Sequence, residues 1–294
     1  MASAPPLRVW PCAAVLAAGV LALLALKQMS RARGQDKAVA MHTQQFLDTH
    51  AAQGNLRVLG LGSSLLWASN APGDMAAIPG VQWMRMTKPD RGIGYLAPSL
   101  DVIDHVPPDV LVIEENILLI EQSSPAMVAM RTDFFLMAKK LSYRLAGQQW
   151  GETGQQYVAL LDQGEPFQCT EVAPGLQARE IVKRGPEIKR LLRNIPIDTQ
   201  LTDRLLRLSQ RGVRIIVLEL RRSESFEQAT APEKKYWHER LQQVLPPSRH
   251  LHYLASPAFT QANLHCDGSH MNRQGARLFS AWWQTQLQQW RKEI

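Results

Sequence analysis

The feature that most constrains this chain is a series of short apolar segments separated by stretches with helical periodicity. The apolar segments begin at Leu56 and recur at Val81–Met86, Val110–Ile113, Val213–Leu220 and Leu251–Leu254. Because several of them are apolar on consecutive residues, both faces of each strand are expected to be buried. Strands of this kind that alternate with helices indicate a mostly parallel sheet, of about five strands, with helices on both faces. We therefore predict an α/β fold, a three-layer α/β/α sandwich.

Helical periodicity fills the intervals between these strands. It predicts helices at Lys37–Ala52, Ala126–Leu145, Leu201–Gln210, Glu233–Val244 and Asn272–Trp290. The interval between the third and fourth strands is too long for one crossover. Residues 147–196 within it have mixed polarity and many Gly, Gln and Pro residues. We interpret them as an insertion that packs against a main domain of residues 38–294.

The first 37 residues differ in character from the rest of the chain. Trp10–Leu26 is a run of seventeen residues without a charge. This length is the lower limit for a membrane-spanning helix and also suits the apolar core of a signal peptide. No persuasive cleavage triplet follows, so we predict that residues 1–37 form an uncleaved N-terminal anchor and a basic linker. The basic residues after the apolar run would keep the main domain in the cytoplasm under the positive-inside rule.

Positive charge is concentrated in one part of the chain. The formal net charge is +7. The segment from Arg179 to Arg222 contains twelve Lys or Arg residues and only five Asp or Glu residues. Such a stretch can lie against an acidic polymer or an anionic membrane, but it is also typical of a solvated helical face. Nucleic acid is not an expected partner, because no zinc spacing, helix-turn-helix pattern or basic aromatic sheet motif accompanies the charge.

A candidate nucleophile lies where the first strand ends, in the sequence Gly62-Ser63-Ser64-Leu65. A serine at the carboxyl end of a parallel strand, where a helix begins, lies in the crevice that such sheets use for ligands. Its backbone N–H can face a developing oxyanion. A serine is also a common helix cap, so this segment alone does not distinguish a nucleophile from a cap.

A histidine suited to activate a serine lies near the end of the chain. His270 follows Asp267 by three residues and precedes the last predicted helix. A catalytic histidine needs a carboxylate on its second nitrogen, and Gly268 permits the tight turn that brings Asp267 to it. The same residues also fit a helix start with Asp and Ser caps and an incidental histidine.

Two further positions after predicted strands can supply hydrogen-bond donors. Asn116 follows the third strand and can aim its side-chain amide into the same crevice, and Gly94 follows the second strand and can offer a backbone N–H. The C-terminal region also contains several side chains of types that bind metals: His250, His252, His265, Cys266, Asp267 and His270. They lack the spacings of zinc sites, so we predict no metal.

Taken in order, these segments resemble the four sequence blocks of the SGNH (GDSL-like) hydrolases and acyltransferases, over about residues 55–290. Ser64 stands at the nucleophile position, Gly94 (less closely Gly92) at the second-block glycine, Asn116 at the third-block asparagine, and Asp267 with His270 in the last block. The resemblance implies a flavodoxin-like fold, an acyl-Ser64 intermediate, an oxyanion held by Ser64, Gly94 and Asn116, and no metal or organic cofactor.

The sequence departs from the family pattern at two positions. Ser63 replaces the usual acid before the nucleophile, and Glu114 replaces the usual glycine of the third block. Ser63 could itself be the nucleophile. Glu114 or the neighbouring Glu115 could change the pKa of His270, exclude some substrates, or mark a degenerate and inactive site.

The anchor and the SGNH-like domain together resemble bacterial envelope proteins that remove or transfer acetyl groups on exopolysaccharide or peptidoglycan. This resemblance implies a periplasmic domain on the inner membrane, a polysaccharide substrate such as cellulose, and a multispanning acyltransferase or polysaccharide synthase complex as partner. It conflicts with the orientation that the flanking charge predicts. Two alternatives are a small-ester or lipid esterase, and a non-catalytic accessory or carbohydrate-binding subunit.

Cysteine usage leaves the redox state open. Cys12 lies in the apolar segment, so Cys169 and Cys266 are the two cysteines of the main domain. They fit one disulfide in an oxidising compartment, and they fit two unpaired thiols equally well.

Overall fold

Within the residues that the structure describes, five parallel strands form one sheet in the order β2-β1-β3-β4-β5. The computed structural model describes residues 37–51, 53–70, 78–87, 96–119, 175–258 and 264–293. The strand bounds are Leu56–Gly62 for β1, Val81–Thr87 for β2, Val110–Glu114 for β3, Arg214–Glu219 for β4 and Leu251–Ala255 for β5. The predicted α/β fold with a five-stranded parallel sheet is confirmed.

Seven α-helices accompany this sheet in the described part of the chain. They are α1 (37–51), α2 (Ser64–Ser69), α3 (Ala97–His105), α4 (Leu176–Asn194), α5 (Thr199–Gln210), α6 (Glu224–Val244) and α7 (Arg273–Glu293). A 3-10 helix, Glu115–Leu118, follows β3 directly. The predicted helix Ala126–Leu145 lies outside the described residues.

The two faces of the sheet are buried in separate apolar clusters. Along each central strand successive side chains point to opposite faces. On β1 and β3, Leu59 and Leu111 therefore belong to one cluster, and Val58 and Val110 to the other. The first cluster contains residues of α1, α3, α5 and α6, and the second contains the aromatic residues of α7. Continuous apolar strands are the direct consequence of this burial on both faces.

Two predicted segments differ in detail from the structure. Helix α6 begins at Glu224, nine positions before the predicted Glu233, and it continues through Pro232. Buried Phe226 and Thr230 anchor its first turns, and this packing outweighs the local preference of proline to end a helix. Within the predicted insertion 147–196, α4 packs along α6, and residues 147–174 lie outside the described residues.

The predicted membrane anchor is not tested by the structure. Among the helices of the described residues, none is both long enough and apolar enough to span a bilayer. Trp10–Leu26 precedes the first of those residues, so the anchor stays a prediction.

Close packing at the start of α7 makes Gly275 sensitive to substitution. A Cβ atom there would lie 2.4 Å from the carbonyl oxygen of Leu264, whereas a Cβ at Gly185 in α4 meets nothing closer than Ile181 at 4.0 Å. We expect Gly275→Ala to lower the free energy of unfolding by about 1–3 kcal/mol, because overpacking forces backbone shifts. Gly185→Ala is expected to raise it by roughly 0.5–1 kcal/mol, since alanine favours a helix interior. Urea titration of both variants measures this, and changes of the same sign would contradict it.

Candidate active site

The order of the strands creates a crevice at the carboxyl end of the sheet. The chain leaves β1 on one side to form β2 and returns on the other side to form β3, so the strand order reverses at β1. Ligands of open α/β sheets bind at such a reversal, outside the carboxyl ends of the strands. Ser64 follows β1 here and Asn116 follows β3, so both lie at this position.

Ser64, His270 and Asp267 form a hydrogen-bonded chain. The Oγ atom of Ser64 lies 2.8 Å from Nε2 of His270, and Nδ1 of the same ring lies 2.9 Å from Oδ2 of Asp267. All three residues are partly exposed to solvent. The structure thus brings together three residues that the sequence places up to 206 positions apart.

Asp267 is held by the turn that follows it. Its Oδ1 atom accepts hydrogen bonds from the backbone N–H groups of Ser269 at 3.0 Å and His270 at 2.9 Å. Gly268 has a φ of 81°, which is the left-handed conformation that glycine adopts without strain. Burial raises the pKa of Asp267, but the hydrogen bonds and the charge of His270 outweigh burial and lower the pKa overall. The carboxylate is therefore ionised at neutral pH.

The loop that carries His270 is closed by its own backbone. The N–H of Cys266 donates to the carbonyl of His270 at 2.7 Å, and the N–H of Asn272 donates to the carbonyl of Leu264 at 2.9 Å. Cys266 is disulfide-bonded, and its partner lies outside the described residues. The pairing with Cys169 therefore stays a prediction. These links fix the ring position relative to Ser64.

Ser63 serves as the cap of α2. Its side chain is 1% exposed, and its Oγ accepts the N–H of Leu65 at 3.2 Å. The histidine described above contacts Ser64, whereas Ser63 is turned into the protein. This arrangement favours Ser64 over Ser63 as the nucleophile.

The two departures from the family pattern contact each other. The backbone N–H of Ser63 donates to Oε2 of Glu114 at 2.5 Å, and the N–H of Asn116 donates to Oε1 at 3.2 Å. Burial raises the pKa of Glu114, although the hydrogen bonds from Ser63 and the charge of Arg222 oppose this rise. The carboxyl group of Glu114 thus links the segment after β1 to the segment after β3, a role that the sequence did not reveal.

Asn116 lies between Ser63 and a residue that sequence reasoning missed. Its Nδ2 donates to Oγ of Ser63 at 3.2 Å, and its Oδ1 accepts from Nη2 of Arg222 at 2.9 Å. Arg222 follows β4 as Asn116 follows β3. Polar residues that follow parallel strands lie at the crevice, so this position in the sequence was a signal for Arg222. Gly94 and Gly92 lie outside the described residues, and their predicted role stays a prediction.

A second group of charged residues lies beside the crevice. Nε2 of His238 is 2.9 Å from Oε2 of Glu115 and 4.0 Å from Oε2 of Glu219. One ligand atom from each of these three residues lies within 4.8 Å of the others, a spacing that a metal ion could use. Nζ of Lys234, however, already binds Glu219 at 2.8 Å and Glu227 at 2.5 Å. The carboxylates therefore have cationic side chains as partners.

His238 makes stability depend on pH. The hydrogen bond to Glu115 is the main cause that raises the pKa of His238, while burial lowers it. The negative charges of Glu115 and Glu219 raise the pKa further, and the positive charge of Lys234 lowers it. The pKa is raised overall. With the pKa raised on folding, the stabilisation is complete below the unfolded value of about 6.5 and is lost as the pH rises through the folded value. We expect wild type to have a larger free energy of unfolding than His238→Gln at pH 6, and we expect this difference to shrink as the pH rises to 9. Urea titration measures it, with exposed His252→Gln as control; parallel curves would contradict the role of His238.

Comparison with known proteins gives distant structural neighbours. No protein-family model matches the sequence, and no curated protein matches it. A protein from Streptococcus pneumonia, provisionally described as a platelet activating factor, aligns over 93% of this chain and 99% of its own, with 12% identity and a TM-score of 0.40. An acetyl xylan esterase from the rumen bacterium Butyrivibrio proteoclasticus aligns over 81% of this chain and 65% of its own, with 8% identity and a TM-score of 0.29. The chemistry of the site therefore rests on its own geometry.

Proposed function

We propose that this chain is a serine enzyme of the SGNH type that acts on acyl esters. One observation carries the proposal, namely the chain of hydrogen bonds from Ser64 through His270 to Asp267, at 2.8 Å and 2.9 Å. A nucleophile within reach of a base, and a base oriented by a third group, is the arrangement that activates a serine hydroxyl.

Acylation begins with Nε2 of His270, which accepts the hydroxyl proton of Ser64 as Oγ attacks the ester carbonyl carbon. Asp267 stabilises the imidazolium that results. His270 then gives the proton to the oxygen of the leaving alcohol, and the carbon–oxygen bond of the ester breaks. The product of this half-reaction is an acyl ester on Ser64.

Deacylation repeats these steps with a second nucleophile. Water or an acceptor hydroxyl gives its proton to His270 and attacks the acyl carbon, and the proton returns to Oγ of Ser64. Water produces a free acid, and a hydroxyl produces a new ester. Hydrolysis and transfer therefore share the same residues and differ only in the acceptor.

The negative charge on the carbonyl oxygen needs hydrogen-bond donors in place before the reaction. The N–H of Ser64 is among the first of α2, and such groups have no partner within the helix. The amide nitrogen of Asn116 carries two hydrogens and gives one to Ser63, which leaves the other for the oxyanion. Gly94 is proposed as the third donor on the resemblance alone.

We infer that the substrate is an acetylated polysaccharide of the bacterial envelope, such as cellulose or another exopolysaccharide. The apolar run Trp10–Leu26 supports an anchor in the inner membrane, and the family resemblance supports a periplasmic domain. A multispanning acyltransferase or a polysaccharide synthase complex would then be the partner. The basic run 179–222 suits an acidic polymer or membrane surface.

The test uses the full-length protein with an aryl acetate as donor, with and without glucan oligosaccharides, and with acetylated oligosaccharides alone. We expect acetyl transfer to the glycan or acetate release from it, lost in Ser64→Ala and retained in the exposed control Ser248→Ala. Aryl acetate hydrolysis that no glycan affects would overturn the polysaccharide assignment in favour of a small-ester esterase. Glycan binding without turnover would overturn the enzymatic assignment in favour of an accessory subunit.

A further inference from the structure

Arg222 is buried at the edge of the crevice with its charge directed at Asn116. The residue is 9% exposed, its Nη2 lies 2.9 Å from Oδ1 of Asn116, and its guanidinium carbon lies 5.0 Å from the centre of the Phe226 ring. Its backbone N–H donates to Oε1 of Glu227 at 2.7 Å. Burial lowers the pKa of Arg222, and the nearby carboxylates, Glu227 foremost, oppose that shift. A cation buried this deeply needs a structural or chemical reason.

The contact with Arg222 determines which way the Asn116 amide faces. A guanidinium has only donors, so the atom of Asn116 that faces it is the oxygen and not the nitrogen. The nitrogen must then point the opposite way, to Oγ of Ser63 at 3.2 Å. Without the donor at Arg222, the remaining side-chain contact described for the amide is Ser63, whose hydroxyl can either accept from the nitrogen or donate to the oxygen.

The neighbouring groups agree with this orientation when their hydrogen bonds are counted. Oγ of Ser63 accepts from the N–H of Leu65 and from Nδ2 of Asn116, which uses both of its lone pairs. The hydroxyl proton of Ser63 is then left for the carboxyl group of Glu114, whose pKa the Ser63 side chain lowers. Each group in this network therefore donates to the next one, from Arg222 to Asn116, from Asn116 to Ser63 and from Ser63 to Glu114.

We propose that Arg222 is a positioning residue that holds the Asn116 amide with Nδ2 toward the oxyanion of the acyl-transfer reaction. This inference rests on the proposed function. Arg222 acts through Asn116, since its Nη2 is bonded to that side chain and its guanidinium lies over Phe226. If the amide turned over, an oxygen would face the oxyanion in place of a donor and would repel it.

Arg222→Met removes the donor and keeps an unbranched side chain over Phe226. Loss of one oxyanion donor lowers kcat by about 10²–10³-fold, and an amide that spends part of its time reversed should lose on the order of 10–100-fold. The effect should fall on kcat with KM nearly unchanged, because the donor acts on the transition state. Arg222→Lys, which keeps a cationic donor, should recover part of the loss.

The decisive measurement is a double-mutant cycle on aryl acetate hydrolysis by the full-length protein. Once Asn116→Ala has removed the amide, adding Arg222→Met should lower kcat by less than about threefold further, because residues that act as a unit are not additive. Arg221→Met, at the neighbouring arginine, is the matched control and should leave kcat unchanged. A full additional loss in the Asn116→Ala background would overturn the inference, since Arg222 would then act on the reaction directly. An unchanged kcat in Arg222→Met alone would overturn it as well.

A second readout separates this inference from the proposed function. The chain contains six asparagines, so selective 15N labelling of asparagine gives six side-chain amide signals, and Asn116→Ala identifies one of them. We expect that signal to shift and to exchange faster with water in Arg222→Met, and to stay in place in Arg221→Met. An unmoved signal would refute the positioning role even in an active enzyme. A shifted signal in a protein without esterase activity would support the orientation and reject the proposed function alone.

Discussion

Replacement of Ser64 or His270 by alanine is expected to lower kcat/KM for aryl acetate hydrolysis by roughly 10⁴-fold to 10⁶-fold. Ser64→Ala removes the oxygen that forms the acyl ester. His270→Ala removes the base that lies 2.8 Å from that oxygen. Initial rates over a range of ester concentrations, with the full-length protein, measure both effects.

The losses of rate caused by the two substitutions should not be additive. Because Ser64 and His270 act as one unit, the double variant is expected to be no slower than either single variant within a few-fold. Ser248→Ala and His252→Ala, at exposed positions outside the crevice, are the matched controls and should retain the wild-type rate. Additive losses, or a loss of less than tenfold in either single variant, would contradict a shared mechanism.

Asp267→Asn should lower kcat by about 10⁴-fold while the fold persists. Oδ1 of Asp267 accepts two backbone N–H groups, so in the variant the amide oxygen must stay there and the NH₂ group must face His270. That NH₂ group donates to Nδ1, which forces the ring proton onto Nε2. The histidine then has no lone pair with which to accept the proton of Ser64.

The control for this substitution is Asp203→Asn on the exposed face of α5, which should leave kcat unchanged. Thermal unfolding of both variants establishes that each is folded. A loss of less than tenfold in folded Asp267→Asn would show that the carboxylate does not set the tautomer of His270.

The strands could be predicted from the sequence because burial on both faces leaves a direct record, a run of consecutive apolar residues such as Val110–Ile113. The order of the strands has no such record, since it depends on packing between distant parts of the chain. The start of α6 differs from the predicted Glu233 for a related reason. Pro232 is a local signal to end a helix, but the burial of Phe226 is a property of the folded domain.

The same distinction applies to the site. Asp267 and His270 lie three residues apart, so their contact follows from one tight turn and could be predicted. Arg222 contacts Asn116 across 106 residues, and nothing in the sequence distinguishes it from the adjacent Arg221. Glu114 contacts Ser63 across 51 residues. The sequence shows them as two separate departures from the SGNH pattern, and only the folded structure shows that they are hydrogen-bonded to each other.

Reaction of the full-length protein with a fluorophosphonate, followed by peptide mass spectrometry, tests the central claim most directly. A fluorophosphonate phosphonylates a serine only where a base and an oxyanion site activate it. We predict a single adduct on Ser64 that is lost in Ser64→Ala and in His270→Ala and is retained in Ser248→Ala. A folded wild-type protein that stays unmodified, or an adduct on a different serine, would contradict the assignment of Ser64 as the nucleophile.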